Sequence, residues 1–141
     1  MLDDLYRDVI LDHYKRPRNK ADLDNVTGAK VHENPTCGDS LKLQVLTAPD
    51  GTIHSIRHAA TGCAISVAST SLMTEHLAGK TVEEAREIAH SFIRMMRGEQ
   101  DSEGLEDWGD LVALQGVSKF PIRVKCATLA WHALLESLRA V

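Results

Sequence analysis

Cys37, Asp39, Cys63 and Cys126 are the residues of this chain whose types could do chemistry together. The three cysteines are its only thiols. Each sits in a small-residue or helix-boundary setting: Pro35-Thr36-Cys37-Gly38-Asp39, Thr61-Gly62-Cys63-Ala64 and Val124-Lys125-Cys126-Ala127. If they converge, they make three thiolates and a carboxylate, a four-ligand set suited to tetrahedral zinc or to an iron–sulfur cluster. No C-x-x-C pair advertises the site, so spacing alone leaves two readings open. In one the residues share a metal. In the other they are three buried cysteines acting as small hydrophobes, with Asp39 a solvated loop acid or helix cap.

The elements that must position these residues follow from the hydrophobic periodicity. Leu2, Leu5, Val9 and Ile10 fall on one helical face, predicting a helix over residues 2–14, which Arg16-Pro17-Arg18-Asn19 ends. Three strands are expected, over residues 27–33, 42–47 and 52–60, with Asp50-Gly51 as the hairpin turn between the last two. From Cys63 onward the chain reads as helical. A small-residue helix over 66–77 is stopped by Gly79, and Thr81-Val82-Glu83-Glu84 opens the next with a capping box. Residues 98–104 read as an exposed polar turn and 105–115 as a short helix. Pro121 starts a last helix over 122–138, with Cys126 in its second turn. The order predicts an α+β fold, a three-stranded antiparallel sheet with helices packed on one face.

The chain has 141 residues, 43% of them hydrophobic, which fits one domain spanning 1–141 with a mainly aliphatic core. Its net charge is −4, from 16 basic and 20 acidic side chains, with no basic stripe of the kind nucleic-acid binders carry. No apolar run approaches the ~20 residues of a membrane span, and the acidic start Met1-Leu2-Asp3-Asp4 lacks a signal-peptide layout. Three thiols cannot all pair, and reduced cysteines suit a cytoplasmic location.

Several motifs in order carry a resemblance. Tyr6-Arg7-Asp8-Val9-Ile10-Leu11-Asp12-His13-Tyr14 with Arg16-Pro17-Arg18-Asn19, then Asn34-Pro35-Thr36-Cys37-Gly38-Asp39, then Gly62-Cys63-Ala64-Ile65-Ser66, resemble the U-type iron–sulfur cluster assembly proteins. The segment from Phe120 through Cys126 to Trp131 is similar to the SufU branch. The resemblance covers nearly the whole chain and implies the NifU/IscU N-terminal-like fold. It also implies one zinc per chain held by Cys37, Asp39, Cys63 and Cys126, with Cys37 as the catalytic sulfur acceptor. The partner it implies is a SufS-type, pyridoxal-phosphate-dependent cysteine desulfurase, whose histidine takes a place on the zinc and frees Cys37. A downstream iron–sulfur scaffold complex would then receive the sulfur.

An alternative within the resemblance is an IscU-type scaffold that assembles and transfers a [2Fe–2S] cluster. Three departures argue against it. Scaffolds carry a histidine immediately before the third cysteine, where this chain has Lys125. Phe120-Pro121-Ile122-Arg123-Val124-Lys125 replaces the Leu-Pro-Pro-Val-Lys chaperone segment, and residues 98–119 look like the insertion that marks the SufU branch. A purely structural zinc adaptor is a third reading. Three thiolates and a carboxylate around a dication leave a formal double negative charge, which Arg123 or Lys125 could offset. The seven histidines read as structural or solvated, with His32 the most ambiguous because it precedes the Cys37 segment.

Overall fold

The structure, a computed structural model, describes residues 2–24, 26, 31–34, 38–99 and 106–139. Helix α1 (Leu2–Lys15) leads into an antiparallel sheet of β1 (Val31–Asn34), β2 (Asp39–Thr47) and β3 (Ile53–His58), in spatial order β1-β2-β3. Helices α2 (Ala64–Leu77) and α3 (Val82–Met96), a 3₁₀ segment (Glu106–Lys119) and α4 (Pro121–Leu138) follow. This is the α+β arrangement expected, with α2 and α4 packed against the sheet. Residues 27–30 of the first expected strand lie outside the described residues, as do the side chains of Leu2 and Leu5.

Each element has a local cause. Leu41 and Leu43 alternate with half-exposed Ser40, Lys42 and Gln44, so one face of β2 enters the core. Gly51, at φ +86°, makes the tight turn before β3, where Gly51 N–H donates to Ala48 O at 3.0 Å. The expected capping box of α3 is formed reciprocally: Glu84 N–H donates to Thr81 Oγ1 and Thr81 N–H to Glu84 Oε1, both at 3.1 Å. Pro121 occupies the first turn of α4, where its missing N–H costs nothing.

The 3₁₀ segment is the main departure from expectation. It is longer than a short helix over 105–115, is broken at Gly109 (φ +54°, ψ −130°), and buries Trp108, Leu111, Leu114 and Val117. Residues 106–119 of the expected insertion therefore contribute to the core, while residues 100–105, which include most of the expected polar turn, lie outside the described residues.

The core is tied together around Phe92 and Trp131, whose rings stack at 4.3 Å between centroids. An aromatic pair of this kind adds about 0.5–1.5 kcal/mol beyond its buried area. Trp131 Nε1 donates to Ser69 Oγ at 3.0 Å, and that hydroxyl donates to the carbonyl of Ala127 at 2.6 Å. The small side chains of α2 allow this close approach to α4. Their hydroxyls remain satisfied, as with Thr70 Oγ1 donating to Ser66 O at 2.8 Å.

The Asp12–Asn19 motif acts as a latch between α1 and α2. Asp12 accepts from Arg16 and, at 2.7 Å, from Arg18, while Arg18 Nε lies 3.6 Å from Glu75. His13 Nδ1 lies 2.7 Å from Ser71 Oγ, and Asn19 donates to Thr74 Oγ1 at 3.0 Å. The same segment covers the outer edge of β3, where Ala21 N–H donates to His58 O and His58 N–H to Asn19 O.

His58 is fully buried in the neutral state. Ala60 N–H donates to its Nδ1 at 3.2 Å, so the proton sits on Nε2 and donates to Arg18 O at 2.9 Å. Burial pushes its pKa below the ordinary 6.5, opposed in part by the Arg18 carbonyl; burial also lowers those of His13, His76 and His132. Folded pKa values below the unfolded ones contribute stability that is present above pH 6.5 and lost as pH falls through the depressed values. Thermal stability of chelator-treated protein is therefore expected to fall on acidification below pH 6.5, and His58→Gln should flatten that slope. A variant with an unchanged slope would show that His58 does not contribute.

Candidate metal centre

Asp39 is the first residue of β2 and pairs with Asn34, the last of β1. On its other side the chain leaving β3 curls back. Ser40 N–H donates to Thr61 O at 2.9 Å and Thr61 N–H to Ser40 O at 2.8 Å, an isolated bridge beyond the regular ladder. Two residues later Cys63 stands beside Asp39, its N–H donating to Asp39 Oδ1 at 2.9 Å. Cys63 Sγ lies 3.9 Å from Asp39 Oδ2.

Gly62 makes this approach available. Its φ is +128°, and a Cβ there would lie 2.3 Å from Asp39 Oδ1 and 2.8 Å from Asp39 Cα. Only glycine both adopts that conformation readily and leaves space for the carboxylate.

Cys63 is also the N-cap of α2, accepting from Ser66 N–H at 3.5 Å. The helix terminus thus turns a backbone N–H donor toward this sulfur. Cys126 comes from α4, which packs on β1 and β2, and is fully buried. The side-chain amide of Asn34 donates to its Sγ at 3.7 Å.

Ligand atoms of Asp39, Cys63 and Cys126 thus lie within 4.8 Å of one another, the one such cluster among the described residues. Tetrahedral zinc places thiolate and carboxylate ligand atoms roughly 3.5–3.8 Å apart, so the three need only a modest contraction around an ion. Burial fits this too, since Asp39 is 2% exposed and Cys126 0%. A buried carboxylate beside two thiols is an arrangement that a cation neutralises. The donor set is right for zinc. Cys37, the fourth expected ligand and the expected acceptor, lies outside the described residues, in the segment between Asn34 and Gly38.

Other expectations resolve plainly. His32 Nδ1 lies 3.6 Å from Glu136 Oε2 and is engaged with α4. Arg123 and Lys125 are both exposed and border different hollows. Lys125 borders one that also includes Asn34 and His132. Arg123 borders a largely apolar groove of about 650 Å³ between α1, the start of α2 and the 3₁₀ segment. Phe120 on this groove is 62% exposed, and nearby Ile122 is 66% exposed.

Sequence reasoning did not single out Asn34 or Gly62 for a role at the site. The available signal was their adjacency to Pro35-Thr36-Cys37 and to Cys63. Gly62→Ala is expected to displace the Asp39 carboxylate and to weaken zinc binding by about 10- to 100-fold in competition with a chromophoric chelator. Wild-type affinity in that variant would mean that Asp39 is not held where zinc needs it.

Known proteins are similar to this chain over most of its length. Residues 5–127 match the NifU-like N-terminal domain. The zinc-dependent sulfurtransferase SufU of Bacillus subtilis is 47% identical over 133 residues, covering 94% of this chain and 88% of that protein. The iron-sulfur cluster assembly scaffold protein IscU of Streptococcus pyogenes is 44% identical over 138 residues, covering 98% and 85%. A crystal structure described as an iron-sulfur cluster assembly scaffold protein for the SUF system, from Fervidobacterium islandicum, superposes with a TM-score of 0.81 at 32% identity, covering 92% of this chain and 93% of that one. A family match over most of the length, with a largely buried Asp–Cys–Cys cluster where the family motifs lie, leads to one conclusion: this chain belongs to the NifU-like N-terminal domain family.

Proposed function

We propose that this chain, read as one domain, is a zinc-dependent sulfurtransferase of iron–sulfur cluster assembly. In this reading it accepts persulfide sulfur from a SufS-type cysteine desulfurase in the cytoplasm and stimulates that enzyme. The observation that carries the reading is the convergence of Asp39, Cys63 and Cys126 from β2, α2 and α4. The 47% identity to a protein named zinc-dependent sulfurtransferase supports it. No helix among the described residues is long and apolar enough to cross a membrane.

Asp39, Cys63, Cys126 and Cys37 would hold one zinc per chain. Zinc, when bound, keeps thiolates deprotonated and damps their nucleophilicity until a ligand is released. Cys37 is the sulfur acceptor that the family resemblance implies, and Cys63 and Cys126 are suited to stay on the metal, since Cys63 caps a helix and Cys126 is packed inside one. The Cys37 thiolate attacks the outer sulfur of the partner's persulfide. A new S–S bond forms at Cys37 Sγ, the partner's S–S bond breaks, and the partner's cysteine departs as a thiolate. The exchange is redox-neutral and needs no further reactant. The apolar groove beside half-buried Cys63, with Phe120 on its rim, suits the close approach of a protein partner.

The second reading, a scaffold for a [2Fe–2S] cluster, has one observation in its favour, the name of the Streptococcus relative. Lys125 beside Cys126 weighs against it, since an ammonium is a poor substitute for a ligating imidazole.

Incubation with desulfurase and cysteine, followed by mass spectrometry, is expected to place the added sulfur on Cys37, and Cys37→Ser should abolish stimulation of the desulfurase. Added sulfur on Cys63 or Cys126 would overturn the assignment of Cys37. Zinc content is expected to fall well below one per chain in Cys126→Ala, with a lower melting temperature. A stable, transferable cluster on wild-type protein, seen by visible absorption and iron analysis, would favour the scaffold.

A further inference from the structure

Asn34 touches the cluster twice. Its backbone is the ladder partner of Asp39, and its side-chain amide donates to Cys126 Sγ at 3.7 Å. It is 7% exposed. A buried primary amide has to find a partner for its N–H groups, and the partner here is a sulfur. As a thiol, Cys126 can donate its own proton toward the carbonyl of Ile122, 4.0 Å away. As a thiolate it can only accept, and the amide then faces the full charge.

The other sulfur of the cluster has an equivalent device, since the N–H of Ser66 meets Cys63 at 3.5 Å. That donor belongs to a helix terminus and would be present whatever the side chain. The Cys126 donor is a side chain, chosen by the sequence.

We infer that Asn34 is a positioning residue of the metal centre: its amide, donating to Cys126 Sγ, fixes that sulfur in place and keeps it as a ligand that stays when another leaves. The inference rests on the zinc reading above and deepens it, by assigning what makes the set unequal. In the tight space between β1 and α4 the amide fixes where the sulfur points. Because Asn34 immediately precedes the segment carrying Cys37, the strand that anchors one sulfur leads directly into the segment whose sulfur must be released.

The test uses the full chain and zinc, cobalt or cadmium as the probe. In wild-type protein labelled with ¹⁵N, the Asn34 side-chain proton facing sulfur is expected to shift downfield when cadmium is added. Asn34→Leu, close in volume but without a donor, is expected to bind one zinc per chain and release it to a chelator about 10- to 100-fold faster than wild type. Asn34→Asp, which sets a second carboxylate against the sulfur, should release it faster still.

The melting temperature of metal-free Asn34→Leu, compared with metal-free wild type, separates a metal effect from a folding defect. Wild-type release rates in Asn34→Leu, or an Asn34 side-chain resonance indifferent to cadmium in wild-type protein, would overturn the inference. Wild-type cobalt protein lacking thiolate-to-metal charge-transfer absorption would instead overturn the metal reading on which it rests.

Discussion

Two hydrogen bonds between Ser40 and Thr61 bring the Asp39 and Cys63 segments together, and the cluster depends on that closure. The regular ladder of β2 and β3 ends with Leu43 opposite His58. Beyond it, Ala59 N–H donates to Lys42 O at 3.0 Å and the Ser40–Thr61 bridge carries the chain leaving β3 back to the start of β2. With it, Asp39 and Cys63 become neighbours, Gly62 leaves room for the carboxylate, and Cys63 is aimed as the cap of α2. The arrangement collects an acid and two thiols in a largely buried space, which is unfavourable unless charge is balanced. On the proposed function a zinc ion supplies that balance, so the local fold and the metal would stabilise each other.

The third residue arrives by a different route. Cys126 is placed by the packing of α4, itself fixed by the Phe92–Trp131 stack and by the bond from Trp131 to Ser69 on α2. The same two helices therefore carry two of the sulfurs and the contacts that hold them at constant separation. The 3₁₀ segment adds Trp108 to the aromatic cluster, its ring 6.3 Å from Phe92. Rigidity of this kind suits ligands that remain in place.

Much of this was legible in the sequence because it is local. The Thr81 capping box, the Asp50-Gly51 turn and Pro121 at the start of α4 each act within a few residues, and each appears as read. Family motifs supplied what spacing could not, the association of Asp39, Cys63 and Cys126. The 3₁₀ segment escaped a clear reading because Gly109 interrupts its helical period while Trp108, Leu111 and Leu114 still face the core. The roles of Gly62 and Asn34 escaped for another reason. One depends on a Cβ that is missing beside a carboxylate, the other on an amide meeting a sulfur far away along the chain. Neither leaves a periodic or compositional trace.

On the proposed function, three unequal sulfurs surround one ion: Cys126 in α4, Cys63 at the cap of α2, and the acceptor Cys37. Zinc K-edge X-ray absorption on protein purified without chelators tests this most directly. The predicted spectrum requires three sulfur scatterers at about 2.3 Å and one oxygen at about 2.0 Å. A shell dominated by nitrogen and oxygen, or one fitted by fewer than three sulfurs, would contradict it.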